Sequence, residues 1–302
     1  PRYKAGEAQC LAMRLVADLE TPVSAYLKLR ALAAGGPSFL LESVEGGAVR
    51  GRYSIIGLKP DVLWRCKGNA ITITRDGQEQ AGSGKPLDSL RELLAESRIP
   101  HLADLPPMAS GVFGFLGYDM VRHMERLPEA KPDPIGVPDA LMIRPTILVV
   151  FDAVKDEIIV ITPVFPKAGS AAKAQYEAAV DRLNTVVAAL DTPLAYSGDR
   201  ADIEARLPAA QSNTTPDEYK AMVAKAKEYI LAGDIFQVVL SQRFSTPFDL
   251  DALSLYRALR RVNPSPYLCY LDFTEFQIVC SSPEILVKVV DNKVTIRPIA
   301  GT

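Results

Sequence analysis

The stretch "TILVVFDAVKDEIIVITPV", residues 146–164, is the clearest indication of strand pairing in this chain. Its two apolar runs are rich in Val and Ile, and they flank the polar segment "DAVKDE". Runs of this composition on either side of a short polar connection are typical of a β-hairpin. Because a hairpin joins neighbouring antiparallel strands, the stretch predicts an antiparallel sheet.

The rest of the chain mixes strand-like runs and helices in no regular order. The run "AITITRDG" at 70–77 alternates strictly and ends in Asp76-Gly77, a typical hairpin turn. Further strands are predicted at 38–43, 52–57, 62–67, 235–244, 267–273, 276–281 and 284–298, and helices at 22–32, 86–97, 170–190, 215–232 and 251–262. Since strands and helices do not alternate regularly, we predict an α+β fold with large, mainly antiparallel sheets packed together and covered by helices.

Chain length and one change of composition predict two domains. A chain of 302 residues exceeds one average domain. Residues 191–214 are polar, contain proline and have no periodicity, which is typical of a boundary. We therefore predict an amino-terminal domain over 1–200 and a second domain over 214–302.

The overall composition limits the classes of function. With 34 basic and 36 acidic residues the formal net charge is −2, which argues against a nucleic-acid-binding protein. The longest apolar runs are too short to span a bilayer, and the first ten residues show no apolar secretion segment. The four cysteines form no metal-binding spacing and are interpreted as reduced core thiols. We expect a cytoplasmic protein without a membrane or nucleic-acid partner.

Three patterns resemble functional motifs but have simpler explanations. The glycines of "GVFGFLGYD" at 111–119 lack phosphate-loop spacing, and close packing in a strand explains them better. The two histidines, His101 and His123, have no cysteine or carboxylate at zinc-ligand spacing, so no metal site is predicted within this chain. The basic run "RALRR" at 257–261 is interpreted as a solvated helix face.

Six segments carry a resemblance to a known family. "GDIFQVVLSQRF" at 233–244, "NPSPYLCYL" at 263–271, "SSPEILVK" at 281–288 and "RPIAGT" at 297–302 together resemble the chorismate-utilising enzymes. "FLLESVEGGAVRGRYSIIG" at 39–57 and "GVFGFLGYDMVRHMERLP" at 111–128 are similar to the amino-terminal region of the anthranilate synthase component I branch. The resemblance runs over nearly the whole chain, and it implies the fold of that family.

The resemblance implies a chorismate site at the end of the sequence. Gly301 and Thr302 match substrate-contacting positions, where a glycine lets a peptide N–H approach a carboxylate and a threonine hydroxyl adds a donor. The family's Mg²⁺ ligands and its active-site histidine would follow Thr302. The resemblance therefore also implies that the fold is incomplete at the carboxyl terminus.

Two positions favour one member of the family. Gln237 matches the position at which the water-adding relatives, the isochorismate and salicylate synthases, carry a lysine. A lysine with a lowered pKa can activate water as a base, whereas a glutamine cannot. Ala300 stands where aminodeoxychorismate synthases often show a nucleophilic lysine. The simpler interpretation, that Gln237 is only a strand residue with a satisfied amide, would remove the first argument and leave the second.

The favoured member implies a reaction and a partner. Anthranilate synthase component I is a lyase of tryptophan biosynthesis that adds ammonia to C2 of chorismate, with loss of the 4-hydroxyl group and then of pyruvate. Gln237 and Thr302 are the candidate catalytic residues, and Mg²⁺ is the expected cofactor. Ammonia would come from a glutamine amidotransferase, as a subunit or a fused domain, so we expect a hetero-oligomer.

The amino-terminal segments imply feedback inhibition by tryptophan. "LLES" at 40–43 resembles one wall of the tryptophan site, where a carboxylate could pair with the amino group, and "NPSPYL" at 263–268 resembles the other wall. The candidate regulatory residues are Leu41, Glu42, Ser43, Asn263, Pro266, Tyr267 and Leu268. Two alternatives stay open: an aminodeoxychorismate synthase component I, and a non-catalytic tryptophan-binding module.

Overall fold

The computed structural model describes residues 2–45, 49–99, 104–129, 131–167, 169–195 and 208–298. The chain divides into two compact units. The first unit is Pro1–Tyr196 with Tyr256–Pro283, and the second is Ser197–Leu255 with Glu284–Thr302. Residues 256–283 thus belong with the amino-terminal residues, and the predicted domains 1–200 and 214–302 stay a prediction.

The described residues contain sixteen strands and five α-helices. In chain order the strands are β1 Gln9–Val16, β2 Ser38–Glu42, β3 Val44–Glu45, β4 Val49–Arg50, β5 Tyr53–Lys67, β6 Ala70–Arg75, β7 Gln78–Ala81, β8 Phe113–Leu116, β9 Ala140–Asp152, β10 Glu157–Val164, β11 Gln211–Ser212, β12 Phe244–Ser245, β13 Tyr267–Asp272, β14 Gln277–Ser282, β15 Lys288–Val290 and β16 Lys293–Thr295. The helices are α1 Pro22–Leu29, α2 Pro86–Glu96, α3 Ala172–Leu190, α4 Pro216–Ala232 and α5 Ala252–Val262, and short 3-10 turns cover Tyr3–Ala5, Arg30–Ala33 and Tyr118–His123. No helix among these residues is long and apolar enough to cross a membrane.

The first unit is built on one antiparallel sheet. Within the described part of the chain this sheet has ten strands, in the order β1-β10-β9-β5-β2-β13-β14, with β6 and β8 also paired to β5 and β9 and with β7 beside β6. The hairpin predicted at 146–164 is confirmed, since β9 and β10 pair from Asp152 opposite Glu157 to Leu148 opposite Ile161. The α+β class is confirmed with it.

One long strand replaces two predicted ones. The runs at 52–57 and 62–67 belong to the single strand β5, which pairs with β9 along its length. The register shifts between Pro60 and Val62, and Lys59 has a φ of 50°. Proline donates no backbone hydrogen bond, so the ladder tolerates it at such an irregularity. The Asp76-Gly77 turn is confirmed, with φ of 47° and 82°, as a type I′ hairpin requires.

The structure adds a strand that the sequence analysis missed. β1 pairs with β10 along the edge of the sheet, from Gln9 opposite Val164 to Val16 opposite Glu157. The alternation of Leu11, Met13 and Leu15 with more exposed neighbours is the signal that could have revealed it.

The core of the first unit lies on the two faces of this sheet. One cluster gathers around Phe39, Ile55, Leu141, Val150 and Leu271, which come from the four strands β2, β5, β9 and β13. The other packs Leu90 and Leu93 of α2 against Trp64 of β5, and the indole N–H of Trp64 donates to Ser89 Oγ at 3.0 Å. The first cluster anchors β2 and β13, which carry four of the candidate regulatory residues, through Phe39 and Leu271.

The second unit has less regular structure than the sequence predicts. α4 begins with the predicted capping box of Thr215 and Glu218 and ends at Gly233, which has a φ of 81°. The strand predicted at 235–244 is wrong for 235–243, since within the described residues only Phe244 and Ser245 pair, with β11. An apolar run becomes a strand only where another strand satisfies its backbone groups. Of the strand structure predicted over 284–298, only the short hairpin of β15 and β16 is present.

Candidate functional site

The two predicted walls of the tryptophan site lie side by side in the sheet. β2 pairs with β13 in antiparallel register, with Glu42 opposite Leu268 and Leu41 opposite Cys269. Glu42 is thus brought next to Leu268, although more than two hundred positions separate the two residues in the sequence. Leu268 is buried and Tyr267 is exposed. The structure brings this part of the candidate set together.

The carboxylate of Glu42 is held by two residues of α5. Tyr256 Oη donates to Glu42 Oε2 at 2.6 Å, Arg260 Nε donates to the same oxygen at 2.8 Å, and Arg260 Nη2 donates to Oε1 at 3.1 Å. The Glu42 side chain is 4% exposed and that of Arg260 is 27% exposed. A buried carboxylate is stable only when it is paired and hydrogen-bonded, and these three bonds supply both conditions.

The environment of Tyr256 agrees with this arrangement. Burial, followed by the charge of Glu42 and the hydrogen bond to it, raises the pKa of Tyr256 far above its usual value. The phenol therefore stays protonated and serves as a donor. Tyr256 and Arg260 are four residues apart on α5, so both side chains reach the same side of the helix.

The turn between α5 and β13 is held by serine hydroxyl groups. Ser281 Oγ donates to the carbonyl oxygen of Asn263 at 2.5 Å, and Ser265 Oγ donates to that of Tyr267 at 3.2 Å. Ser281 Oγ also lies 3.0 Å from Ser265 Oγ. A carbonyl oxygen has two acceptor positions, so the Asn263 carbonyl, which lies outside the strands, can accept one more hydrogen bond. Pro266 lies within this turn and reduces its freedom.

Ser43 follows Glu42 and lies against a glycine. Its carbonyl oxygen accepts a hydrogen bond from the N–H of Gly51 at 2.8 Å. A Cβ atom on Gly51 would stand 2.3 Å from both Cβ and Oγ of Ser43. The glycine therefore leaves just enough room for the serine side chain on that side.

The candidate catalytic residues are not brought together by the described part of the chain. Gln237 lies in the second unit, in the segment between α4 and β12 that forms no regular structure. Gly301 and Thr302 lie outside the described residues. The catalytic roles of Gln237 and Thr302 and the chorismate contacts of Gly301 and Thr302 stay predictions.

The described residues offer no evident metal centre. Within them, no group of three or more His, Cys, Asp or Glu side chains could hold a metal ion. All four cysteines are free thiols, and Cys269 of β13 lies directly opposite Cys280 of β14.

Sequence analysis missed the two residues that hold Glu42. The interpretation of "RALRR" as a solvated face is wrong for Arg260, whose guanidinium pairs with a buried carboxylate. Arg261 beside it is exposed, as expected. The spacing of Tyr256 and Arg260 on one helix face was visible in the sequence, but its meaning depends on Glu42, which is distant along the chain.

Comparison with known proteins now places the chain in a family. Residues 12–302 match the family of chorismate binding enzymes. The chain belongs to this family, and the predicted resemblance is confirmed.

Its relatives specify a narrower similarity. The chain is 48% identical to anthranilate synthase component 1 of Cereibacter sphaeroides, over 99% of this chain and 60% of the relative. It is 42% identical to the protein of that name from Thermus thermophilus, over 95% and 58% of the two chains. A crystal structure of anthranilate synthase component I from Streptococcus pneumoniae superimposes with a TM-score of 0.70 at 29% identity, over 94% of this chain and 60% of the other. The chain thus spans about three-fifths of the length of these relatives.

Proposed function

We propose that this chain is part of the large subunit of an anthranilate synthase, a lyase that converts chorismate and ammonia to anthranilate and pyruvate. The similarity to enzymes of that name over 99% of the chain carries this proposal. The same fold in a component I structure supports it. The biosynthetic role would place the protein in the cytoplasm, in the pathway to tryptophan.

Gln237 supports ammonia as the nucleophile. A lysine at this position could act as a base toward water after its pKa is lowered, whereas a primary amide is neutral and has no useful basicity. The amide can still donate and accept hydrogen bonds, which suits the positioning of a neutral nucleophile. Thr302 and Gly301 would donate to the carboxylates of chorismate.

A cofactor and a partner belong to this proposal. Mg²⁺ would neutralise a substrate carboxylate and assist departure of the leaving group. Since no metal-binding group occurs within the described residues, its ligands are proposed to lie outside them. Ammonia would be delivered by a glutamine amidotransferase subunit or a fused domain, which makes a hetero-oligomer the expected assembly.

Tryptophan is the proposed feedback inhibitor. The adjacency of Glu42 and Leu268 in the sheet supports a site built from 41–43 and 263–268. The exposed ring of Tyr267 and the acceptor position left at the Asn263 carbonyl suit a ligand with an aromatic ring and an ammonium group.

The test uses the full natural protein that contains these residues. Purified protein is supplied with chorismate, Mg²⁺ and ammonium ion, and anthranilate is followed by its fluorescence, with and without tryptophan. We expect anthranilate and pyruvate in equal amounts, and a rate that falls as tryptophan is added.

The products distinguish the alternatives. Formation of aminodeoxychorismate without pyruvate would support an aminodeoxychorismate synthase instead. Tryptophan binding without any turnover of chorismate would support a non-catalytic binding module. Formation of isochorismate in the absence of ammonia would contradict the role proposed for Gln237.

A further inference from the structure

We propose that Arg260, together with Tyr256, is a positioning residue of the regulatory site: it fixes the carboxylate of Glu42 and thereby sets the sensitivity of the enzyme to tryptophan. This inference rests on the proposed inhibition by tryptophan. It assigns a role to two residues of α5 that the resemblance does not include among the tryptophan contacts.

The hydrogen bonds around Glu42 are the first step. A carboxylate offers about four acceptor positions. Among the described residues, Tyr256 and Arg260 use two positions on Oε2 and one on Oε1. One position on Oε1 is left for a further donor, and an amino-acid ammonium group is a donor of the right charge.

The shape of the arginine is the second step. Its planar guanidinium donates through Nε to one oxygen and through Nη2 to the other, so it fixes the rotation of the carboxylate group as well as its position. A lysine would supply the charge at one point only and would leave the carboxylate free to turn. The remaining acceptor position of Oε1 has a defined direction only with the arginine.

Helix α5 leads directly into the second wall of the proposed site. Near its end the N–H of Asn263 donates to the carbonyl oxygen of Leu259 at 2.8 Å, and the chain continues directly into the turn that leads to β13. One helix therefore holds the Glu42 carboxylate and begins the opposite wall of the proposed site. A change at Arg260 alters the relation between the two walls without removing any predicted ligand contact.

The burial of Glu42 makes it possible to distinguish a stabilising role of the Arg260–Glu42 pair from a positioning role. The Glu42 side chain is almost fully buried, and a single unpaired charge there would be strongly unfavourable. A pair that served stability alone could be replaced by two neutral groups of similar shape with little effect on function. A pair that positions a ligand contact could not. This difference provides the test.

The test compares four variants of the full natural enzyme in the ammonia-dependent reaction. Arg260→Lys keeps the positive charge but loses the paired Nε and Nη2 donors of the guanidinium, and Tyr256→Phe removes the phenol donor. The double variant Glu42→Gln/Arg260→Gln removes both charges. Arg261→Gln is the matched control, because Arg261 is the exposed neighbour on the same helix. Each variant is measured for kcat, for KM of chorismate, for inhibition and calorimetric binding of tryptophan, and for Tm.

We expect Arg260→Lys to raise the tryptophan concentration for half-inhibition about tenfold relative to Arg261→Gln, the effect of one lost charged hydrogen bond. This increase should exceed any change in kcat. Tyr256→Phe should act in the same direction. The double variant should approach the parent Tm, but tryptophan should inhibit it much less strongly than it inhibits the parent.

Two results would overturn the inference. One is an Arg260→Lys variant that is inhibited as strongly as the control. The other is a double variant that regains both the parent Tm and the parent sensitivity, since the pair would then serve only stability. If the parent enzyme itself neither binds tryptophan nor is inhibited by it, the regulatory part of the proposed function fails first, and that failure is distinct because it precedes any substitution.

Discussion

Gly114 of β8 lies directly against the main chain of Leu141 of β9. A Cβ atom on Gly114 would stand 1.9 Å from the Leu141 carbonyl oxygen and 2.9 Å from the Cα atom of Met142. Both contacts are with backbone atoms of a central strand, which cannot move aside without breaking the ladder. Gly114 of "GVFGFLGYD" at 111–119 therefore serves close packing in a strand, as the sequence suggested, whereas Gly111 has a φ of 139° and no atom within 4 Å of an added Cβ.

Gly114→Ala should lower the free energy of unfolding by about 3 kcal/mol, the upper part of the range for overpacked sites. The matched control is Gly68→Ala. Gly68 has a φ of 54° and no atom within 4 Å of an added Cβ, so it tests backbone strain without a clash. That strain costs about 1 kcal/mol. Urea unfolding of both variants gives the comparison, and equal losses would show that Gly114 is not tightly packed.

The pair Arg144–Asp61 should be essential to the stability of the first unit. Arg144 Nε and Nη2 each donate to an oxygen of Asp61 at 2.8 Å, and the two side chains are only 9% and 14% exposed. Arg144→Met should cost about 3 kcal/mol because it leaves a nearly buried carboxylate unpaired. Arg91→Met is the control, since its pair with Asp88 is exposed and should contribute less than about 1 kcal/mol. Similar midpoints in urea for the two variants would contradict this prediction.

Two thiols should resist alkylation in the folded protein. Burial, together with the neighbouring Cys280, raises the pKa of Cys269 to about 12, and burial raises that of Cys10 to about 11. The thiolate is the reactive form, so at pH 8 both should react far more slowly than in urea. Labelling with iodoacetamide followed by mass spectrometry measures each site.

The raised pKa values of Cys10 and Cys269 should also make stability depend on pH. They favour the folded state below pH 9, and this contribution to the free energy of unfolding is lost as the pH rises through 11 to 12.

Ser43→Phe should produce an active enzyme that no longer responds to tryptophan. Gly51 leaves little space beside Ser43, so a phenyl ring would turn into the neighbouring ligand space. The measurement is the rate of anthranilate formation with and without tryptophan, and Ser43→Ala, which keeps the small size, is the control. An active Phe variant that is inhibited as strongly as the parent would exclude Ser43 from the site.

Gln237→Lys should reduce anthranilate formation in the full natural enzyme. A cation would enter a site that is proposed to hold neutral ammonia, and a lysine with a lowered pKa could promote addition of water instead. We expect kcat for anthranilate to fall by at least about tenfold, within the range for a misplaced acid–base group. Gln237→Glu tests whether any charge has this effect. A lysine variant that keeps the parent rate would show that Gln237 does not select the nucleophile.

The sequence predicted correctly those elements that depend on a few adjacent residues. Composition and periodicity located the hairpin at 146–164, the Asp76-Gly77 turn and the Thr215 capping box, because each depends on a few adjacent residues. The same reasoning failed at 235–243, where an apolar run has no strand to pair with among the described residues. It also separated 52–57 from 62–67, which the pairing with β9 joins across Pro60 into the single strand β5.

The candidate site divides in the same way. From the sequence alone came the family resemblance, the choice of Gln237 and Ala300 as discriminating positions, and both walls of the proposed tryptophan site, since each is a short contiguous motif. The three-dimensional fold was needed to show that Leu268 lies opposite Glu42 and that Arg260 and Tyr256 hold the Glu42 carboxylate. Strand register and the pairing of a buried charge here depend on residues more than two hundred positions apart, so no local sequence pattern encodes them.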